Sequence, residues 1–496
     1  MTKYWKQILF FGGILAIYIC GVSPDMTWMS LGGDQPDFVI AAKYFCPAGL
    51  MGYPSFVILG WLFERLPSNP FWNLGLLSGA STVATCIFIF LIVRFLVKGK
   101  ETSESLPSRL APYIGSAVYA GSFIVWTQSV IPEVYALSVL VAVAGLYFVI
   151  RRRYWIACGI GAFGLGAHPL VIFAIVPSLA YIWILERNPK LLLKLCGIGC
   201  LGLLLYLQAY LTEIPTNNQF FLRSPLALIP SSAGGYFSLP VIPIQTTLQR
   251  LYEIAVIGLA SLGFALPLLF FVKKSREVRL IAVVGILGFV FYATALYWQW
   301  ITYLVLPVAM VSILVGIGGS RFPHKRFVVV FLIIAIGLMG RNLYSYDIGR
   351  STDPLPTTAR QFYQRLEEIP NGSVVVLHTW GHPGVLCYYY CCENDDRIDF
   401  INWNAVGEPT RYPNYIPYQE GRGISIPELD YDKIALREYG VSDFGRELQI
   451  LNPERRVYVT YLKERNPNME FGLSLASSYY PGLNDVPRSK EHYVGG

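Results

Sequence analysis

Long apolar segments separated by short polar loops occupy the first two thirds of the chain. A transmembrane helix needs about 20 consecutive, mostly apolar residues, and eleven runs approach or reach that length. They cover residues 7–23, 73–97, 110–130, 132–150, 155–167, 169–185, 191–212, 251–272, 279–297, 300–318 and 326–342. The short runs at 155–167 and 169–185 meet at His168-Pro169, so the number of transmembrane helices depends on whether these two runs count as one helix or two. The pattern predicts a polytopic α-helical membrane protein with about eleven transmembrane helices.

The positions of the basic residues predict the orientation of these helices. If the N-terminus is cytoplasmic, the loops on the cytoplasmic side contain 19 Lys and Arg residues, including the clusters Arg151–Arg153 and Lys273–Arg276. The loops on the opposite side of the same region contain five. Because loops rich in Lys and Arg stay in the cytoplasm, the N-terminus is predicted to be cytoplasmic.

Three segments then face the extracytoplasmic or lumenal side. The first is a long outer loop over 24–72, and the second covers 213–250. The third begins at 343 and changes to the pattern of a soluble α/β fold. Its predicted strands and helices cover Ser373–Leu377, 384–392, Arg397–Ile401, 440–451 and Arg456–Leu462. We therefore expect a multi-span membrane domain over 1–342 and a small extracytoplasmic α/β domain over 343–496.

Composition supports a membrane protein and argues against a soluble enzyme and against a nucleic-acid-binding protein. The 496 residues are 54% hydrophobic and only 14% charged, whereas a soluble globular chain is about 25% charged. A soluble enzyme is therefore excluded. The net charge is +7, but the basic residues stand mostly in short predicted cytoplasmic loops. We therefore expect membrane lipids and no nucleic acid as partners.

Two carboxylates stand close together at the start of the long outer loop, in Gly32-Gly33-Asp34-Gln35-Pro36-Asp37. Near a membrane face such groups are costly unless they serve a function. Asp34 and Asp37 can act as a base with a partner or hold a divalent ion. The alternative is helix capping, which spacing alone favours, since Asp is a preferred N-cap and is stabilising in a first turn.

Two more candidates lie at the same predicted face. Glu133 stands between the third and fourth runs, where it belongs either to a solvated turn or to the same outer site. His168, beside Pro169, is more often a satisfied helix terminus than a ligand. His378 and His382 follow a predicted strand, and a surface position is favoured over a metal pair.

Aromatic residues also collect at an outer boundary. They are Tyr297, Trp298, Trp300 and Tyr303. Such residues usually anchor helices at the membrane interface, and stacking against a sugar ring is the less common use.

Three blocks of this sequence resemble the protein O-mannosyltransferases of the transmembrane-protein-260 type. The first is Asp34-Gln-Pro-Asp-Phe-Val-Ile-Ala-Ala with Gly52-Tyr53-Pro54, the second is Trp126-Thr-Gln-Ser with Pro132-Glu-Val-Tyr-Ala-Leu, and the third is Gly166-Ala-His168. That family belongs to the GT-C class of lipid-phosphosugar-dependent glycosyltransferases. Its opening reads Asp-Ser-Gly-Glu, so here Gln35-Pro36 replaces Ser-Gly and Asp37 replaces Glu.

The resemblance implies a GT-C-like fold and a polyprenyl- or dolichyl-phosphate sugar donor, with mannose as the expected sugar. The acceptor hydroxyl would belong to a protein, lipid or glycan at the outer face. Asp34 would be the catalytic base, and Asp37 and Glu133 would orient the acceptor or support a divalent cation. His168 would neutralise the departing phosphate. The other implied substrate-binding residues are Lys43, Tyr53, Trp126 and Gln128, and Arg223, Arg250 and Arg341 join them by outer location alone.

Two other functions fit an eleven-span protein. A transporter or lipid flippase should show two halves related by repeat symmetry, but the sequence contains no internal repeat. An inactive scaffold could instead bind a partner through its outer domain, although it would not need the pair Asp34 and Asp37.

Overall fold

The computed structural model describes fifteen stretches of the chain. These are residues 4–24, 35–46, 48, 52–98, 105–210, 244–294, 300–345, 366, 368–377, 397–403, 406, 420–421, 423–429, 441–465 and 468–475. They divide into two units, one containing the residues described up to 345 and the other those described from 366 onwards. The helix predicted near 384–392 lies outside the described residues.

The first unit is helical. Its α-helices are α1 (Trp5–Gly21), α2 (Gln35–Tyr44), α3 (Pro54–Phe63), α4 (Pro70–Lys98), α5 (Leu106–Gly121), α6 (Phe123–Thr127), α7 (Val134–Ile150), α8 (Tyr154–Leu165), α9 (Ile172–Glu186), α10 (Pro189–Leu201), α11 (Ile244–Leu262), α12 (Arg276–Thr294), α13 (Val305–Gly319) and α14 (Lys325–Ser345). Short 3-10 helices cover Pro169–Val171, Gly202–Tyr210, Leu266–Phe271 and Trp300–Leu304. A helical element therefore lies over each of the eleven apolar runs, and α14 extends slightly beyond the predicted domain boundary.

Five helical segments are both long enough and apolar enough to cross a membrane. They are Pro70–Val97, Pro169–Glu186, Pro189–Leu207, Thr302–Gly319 and Arg326–Ser345. Helices such as α1 and α7 are apolar but shorter. The chain is thus a multi-pass membrane protein with five spans by length and composition among the described residues, and the number eleven stays a prediction.

Burial separates the centre of this unit from its periphery. In the Thr302–Gly319 span 89% of the residues are buried inside the protein, whereas in the Pro189–Leu207 span only 11% are. Helix α4 packs on α1, α5, α7 and α13, and α5 also packs on α13 and α14. Peripheral helices expose large apolar side chains such as Leu193 and Ile333, as expected for helices that face lipid.

The predicted span 110–130 is interrupted. Helix α5 ends at Gly121, the next residue is extended, and the short helix α6 follows. A break frees backbone carbonyls that water cannot reach inside a membrane. Here side chains from distant helices satisfy them: Tyr18 Oη donates to the carbonyl of Ala120 at 2.8 Å, and Asn342 Nδ2 donates to that of Gly121 at 3.1 Å.

The second unit contains a four-stranded sheet. Its elements are β1 (Val374–Leu377), β2 (Asp399–Asn402), α15 (Val441–Leu451), β3 (Val457–Arg465) and β4 (Asn468–Leu475). The strand order is β2-β1-β3-β4, with β1 parallel to both neighbours and β4 antiparallel to β3. Helix α15 packs on β3 and buries Phe444 and Leu448 in the core. Strands lie at the three predicted positions, and β4 adds a fourth.

Candidate active site around His168

Glu133 lies in a buried turn between α6 and α7. Its side chain is 2% exposed, so the solvated-turn alternative is wrong. The backbone of Glu133 is extended, and its Oε2 accepts a hydrogen bond from the amide of Val134 at 3.2 Å. Glu133 therefore caps α7 and satisfies one of the amides that a helix start leaves without an intrahelical partner.

Two residues of the same block, Trp126 and Gln128, are also buried. The Trp126 ring lies 5.1 Å from that of Tyr18. A β-carbon on Gly21 would come within 2.5 Å of the indole, so α1 approaches this closely only because it has glycine there. Gln128 Nε2 donates to Thr127 Oγ1 at 3.3 Å. Both predicted substrate-binding side chains thus take part in the packing of the helical core.

His168 caps the helix that follows it. Its Nδ1 accepts a hydrogen bond from the amide of Leu170 at 3.0 Å. This is the contact expected if His168 terminates a helix. Its side chain is 1% exposed. Because Nδ1 accepts, the proton of the neutral imidazole is on Nε2. His168 therefore presents an N–H donor at Nε2.

Aromatic rings from three different parts of the chain surround this imidazole. The Tyr53 ring stacks on it at a centroid distance of 5.7 Å and an interplanar angle of 6°. Tyr135 lies at 5.0 Å and Tyr303 at 5.9 Å, with 5.6 Å between these two tyrosines. We call these four residues, Tyr53, Tyr135, His168 and Tyr303, the His168 cluster.

The position of Tyr303 differs from the one that its sequence pattern predicts. Its pattern predicts an aromatic anchor at the membrane interface, but the side chain is 1% exposed and contacts His168, Tyr135 and Phe291. The reason is tertiary: the 3-10 helix Trp300–Leu304 packs against α6, α12 and α13. The side chains of the neighbouring aromatic residues 297, 298 and 300 are outside the described part.

A close backbone contact joins the first and third sequence blocks. The amide of Ser55 donates to the carbonyl of Gly166 at 2.9 Å, and Ser55 Oγ donates to that of Phe163 at 2.5 Å. A β-carbon on Gly166 would lie 2.5 Å from Ser55 Oγ, so glycine permits the approach. Gly52 (φ +74°) and Tyr53 (φ +39°) are both left-handed, a conformation that is unusual for tyrosine.

The burial of His168 determines its charge. His168 precedes the span Pro169–Glu186, and burial lowers its pKa from 6.5 to about 3, since desolvation disfavours the imidazolium. At neutral pH the ring is uncharged. The neutral ring offers its Nε2–H as a hydrogen-bond donor, and the role expected for His168 at the departing phosphate stays a prediction.

The remaining predicted residues lie around or outside this centre. Asp37 is partly buried in the first turn of α2, followed by Phe38, whose ring is 5.8 Å from that of Tyr53. Lys43 is in the last turn of α2, with its Nζ 5.9 Å from the Tyr44 ring. Asp34 lies outside the described residues.

The arginines chosen by location alone are dispersed. Arg250 is in α11. Arg341 is exposed in α14, where it donates to Asn342 Oδ1 at 3.0 Å. Arg223, like His378 and His382, lies outside the described residues.

A divalent cation was one expectation for the carboxylates. In the part of the chain that the structure describes, no three His, Cys, Asp or Glu side chains are grouped so that they could hold a metal ion. Asp34, one of the two carboxylates on which this expectation rests, lies outside the described residues, so the divalent cation stays a prediction.

One family of known proteins matches part of the chain. Residues 34–192 match the family described as the N-terminal domain of the protein O-mannosyl-transferase TMEM260. This range includes all three sequence blocks, and of the His168 cluster only Tyr303 lies beyond it. No curated protein matches the chain.

Two solved structures extend over nearly the whole chain. The crystal structure of ArnT from Cupriavidus metallidurans in the apo state has a TM-score of 0.53 and 13% identity, covering 96% of this chain and 99% of that one. The structure of the same protein bound to undecaprenyl phosphate has a TM-score of 0.49 and 11% identity, covering 95% and 98%. The chain is therefore a multi-pass membrane protein with the fold of ArnT, and its residues 34–192 resemble the protein O-mannosyltransferases of the TMEM260 type.

Proposed function

We propose that this protein is an integral-membrane glycosyltransferase that moves a sugar from a polyprenyl- or dolichyl-phosphate donor to an acceptor hydroxyl. One observation carries the proposal. The three blocks that resemble the O-mannosyltransferases are spread over more than a hundred residues, yet Tyr53, Tyr135 and His168 come together in one cluster. Such convergence of family motifs is typical of a functional site.

The class of donor is suggested by the comparison with ArnT. ArnT, whose apo structure shares the fold, is also described bound to undecaprenyl phosphate. A lipid-linked donor suits a chain whose peripheral helices face lipid, because the polyprenyl tail stays in the bilayer while the phosphate and sugar lie at its surface. Mannose and a protein Ser or Thr acceptor are suggested by the name of the matching family. A lipid or glycan acceptor has the same hydroxyl chemistry.

The proposed reaction forms one bond and breaks one. The acceptor oxygen bonds to the anomeric carbon of the sugar as its proton passes to the carboxylate of Asp34. The bond between that carbon and the phosphate oxygen breaks, and the polyprenyl phosphate leaves with the bonding electrons. Asp37 and Glu133 orient the acceptor, so they act by placement instead of proton transfer.

The leaving phosphate gains negative charge, and donors aimed at it stabilise the transition state. His168 supplies the neutral Nε2–H, since Nδ1 is used by Leu170. Lys43, on the helix that carries Asp37, is the cation that we assign to the phosphate. We place the reaction on the extracytoplasmic or lumenal side, with the N-terminus in the cytoplasm, on the distribution of basic loops.

Sugar transfer by the full-length protein in nanodiscs tests the proposal. The assay offers polyprenyl-phosphate mannose and polyprenyl-phosphate glucose with a mixed pool of peptide, lipid and glycan acceptors. Wild type is compared with Asp34→Asn and with Asp443→Asn, a carboxylate that pairs with Arg446 on the surface of α15.

Three outcomes are informative. Donor consumption that is lost in Asp34→Asn and kept in Asp443→Asn supports both the function and the base. Consumption that persists in Asp34→Asn removes Asp34 as the base. If folded wild-type protein consumes neither donor, the glycosyltransferase proposal fails and the transporter becomes the better interpretation.

A further inference from the structure

One face of α4 carries small and hydroxyl side chains against the turn that contains Glu133. The face is formed by Gly75, Ser78, Gly79 and Thr82, which recur at the three- and four-residue spacing of one helix surface. A β-carbon on Gly79 would lie 3.4 Å from the carbonyl oxygen of Ser129. The helix backbone can therefore approach the turn closely.

Ser78 makes a pair of hydrogen bonds with the backbone of Glu133. The amide of Glu133 donates to Ser78 Oγ at 3.1 Å, and Ser78 Oγ donates to the Glu133 carbonyl at 3.1 Å. One buried hydroxyl thus fixes the peptide groups on both sides of the Glu133 α-carbon. Because Glu133 precedes the first helical residue of α7, its amide has no acceptor within its own helix.

Two further contacts hold the same turn. Thr82 Oγ1 and Ser129 Oγ share a hydrogen bond of 2.6 Å, and both hydroxyls are buried. From the other side, the amide of Ser23, just after α1, donates to the Val130 carbonyl at 2.8 Å. The turn is fixed at three points, of which Ser78 is the one on Glu133 itself.

From this geometry we infer that Ser78 is a positioning residue, which acts on the reaction by fixing Glu133. The inference rests on the role proposed for Glu133 in orienting the acceptor. A displacement of about 1 Å in a positioned group can lower a rate by orders of magnitude. Ser78 does not touch the reacting atoms and has no chemical role of its own.

Hydrogen–deuterium exchange tests the structural half of this inference without any substrate. In Ser78→Ala the Glu133 amide loses its acceptor, and we expect its exchange to rise by roughly tenfold. The matched control is Ser312→Ala, which removes a buried hydroxyl that donates to the Val308 carbonyl of its own helix. Equal exchange of residues 129–134 in the two variants would overturn the inference. If Ser78→Ala does not fold, Ser78→Cys replaces it, with a smaller rise expected because the thiol sulfur still accepts weakly from the Glu133 amide.

A double-mutant cycle tests the functional half. We expect Ser78→Ala to lower kcat by on the order of tenfold and to have no further effect in the Glu133→Gln background. Losses that multiply in the double variant would assign Ser78 to general packing and overturn the positioning role. If Glu133→Gln alone leaves transfer unchanged, the role proposed for Glu133 fails and the positioning role fails with it, whereas the exchange result still reports whether Ser78 holds the turn.

Discussion

Replacing Gly166 by alanine tests the contact that joins the first and third sequence blocks. A β-carbon at this position would lie 2.5 Å from Ser55 Oγ, 3.0 Å from Pro54 Cγ and 3.2 Å from Leu205 Cδ1. The backbone of Gly166 has φ −84° and ψ −6°, which alanine adopts without strain. The cost of the substitution is therefore steric.

The size of that cost can be worked out from the neighbouring atoms. The Ser55 hydroxyl must move, and it then loses its 2.5 Å hydrogen bond to the carbonyl of Phe163. Overpacking costs about 1–3 kcal/mol, and a lost buried hydrogen bond about 1 kcal/mol. We expect Gly166→Ala to lower the free energy of unfolding by roughly 2–4 kcal/mol. Adding Ser55→Ala removes the nearest atom and should recover part of this loss, while the Pro54 contact remains.

The assay is unfolding in nanodiscs, followed by tryptophan fluorescence and compared with a glycine from the same region. Gly159 lies within α8, where a β-carbon would meet no atom within 4 Å. Gly159→Ala should leave stability unchanged or raise it by up to about 1 kcal/mol, because alanine favours the helix. If Gly166→Ala is as stable as Gly159→Ala, the two blocks do not meet as described.

His168, Glu133 and helix α4 each allow a further test. Because burial lowers the His168 pKa from 6.5 to about 3, the unfolded state takes up a proton first, and the free energy of unfolding should fall as the pH drops from 6.5 toward 3. His168→Asn keeps a capping acceptor and should weaken this pH dependence. Parallel curves of stability against pH for the two proteins would contradict the prediction. Glu133→Gln should reduce transfer less than loss of the catalytic base does, and an unchanged initial rate would return its turn to a purely structural role. In a background without native cysteines, a cysteine at Ser68 should react with an impermeant maleimide from outside and one at Ser103 only after the membrane is opened; labelling of both from one side would reverse the proposed orientation.

The hydropathy pattern predicts the helical elements well but not their ends. Lipid burial depends on local composition, so every apolar run contains a helical element. The break after Gly121 depends instead on Tyr18 and Asn342. Each lies about a hundred residues or more from the break in sequence, so no local pattern could reveal it.

The candidate site is predictable only in part, because motifs are local whereas contacts between side chains depend on distant helices. Short motifs mark His168, Tyr53 and Glu133, but their contacts depend on how the helices pack. Tyr135 lies within the second block, although nothing local indicates that its ring contacts His168. Tyr303 has the pattern of an interfacial anchor and is buried only because distant helices enclose it.

The break between α5 and α6 also constrains how this sequence can vary. Tyr18 and Asn342 donate to the two carbonyls that the break releases, and in hydrocarbon a carbonyl left without a donor is costly. A relative that keeps the break must therefore keep hydrogen-bond donors at both positions. A relative in which the two helices fuse into one no longer needs them and can replace both with apolar residues. Covariation of Tyr18, Asn342 and the break after Gly121 across an alignment would show at which point in the evolution of this fold the single helix became two.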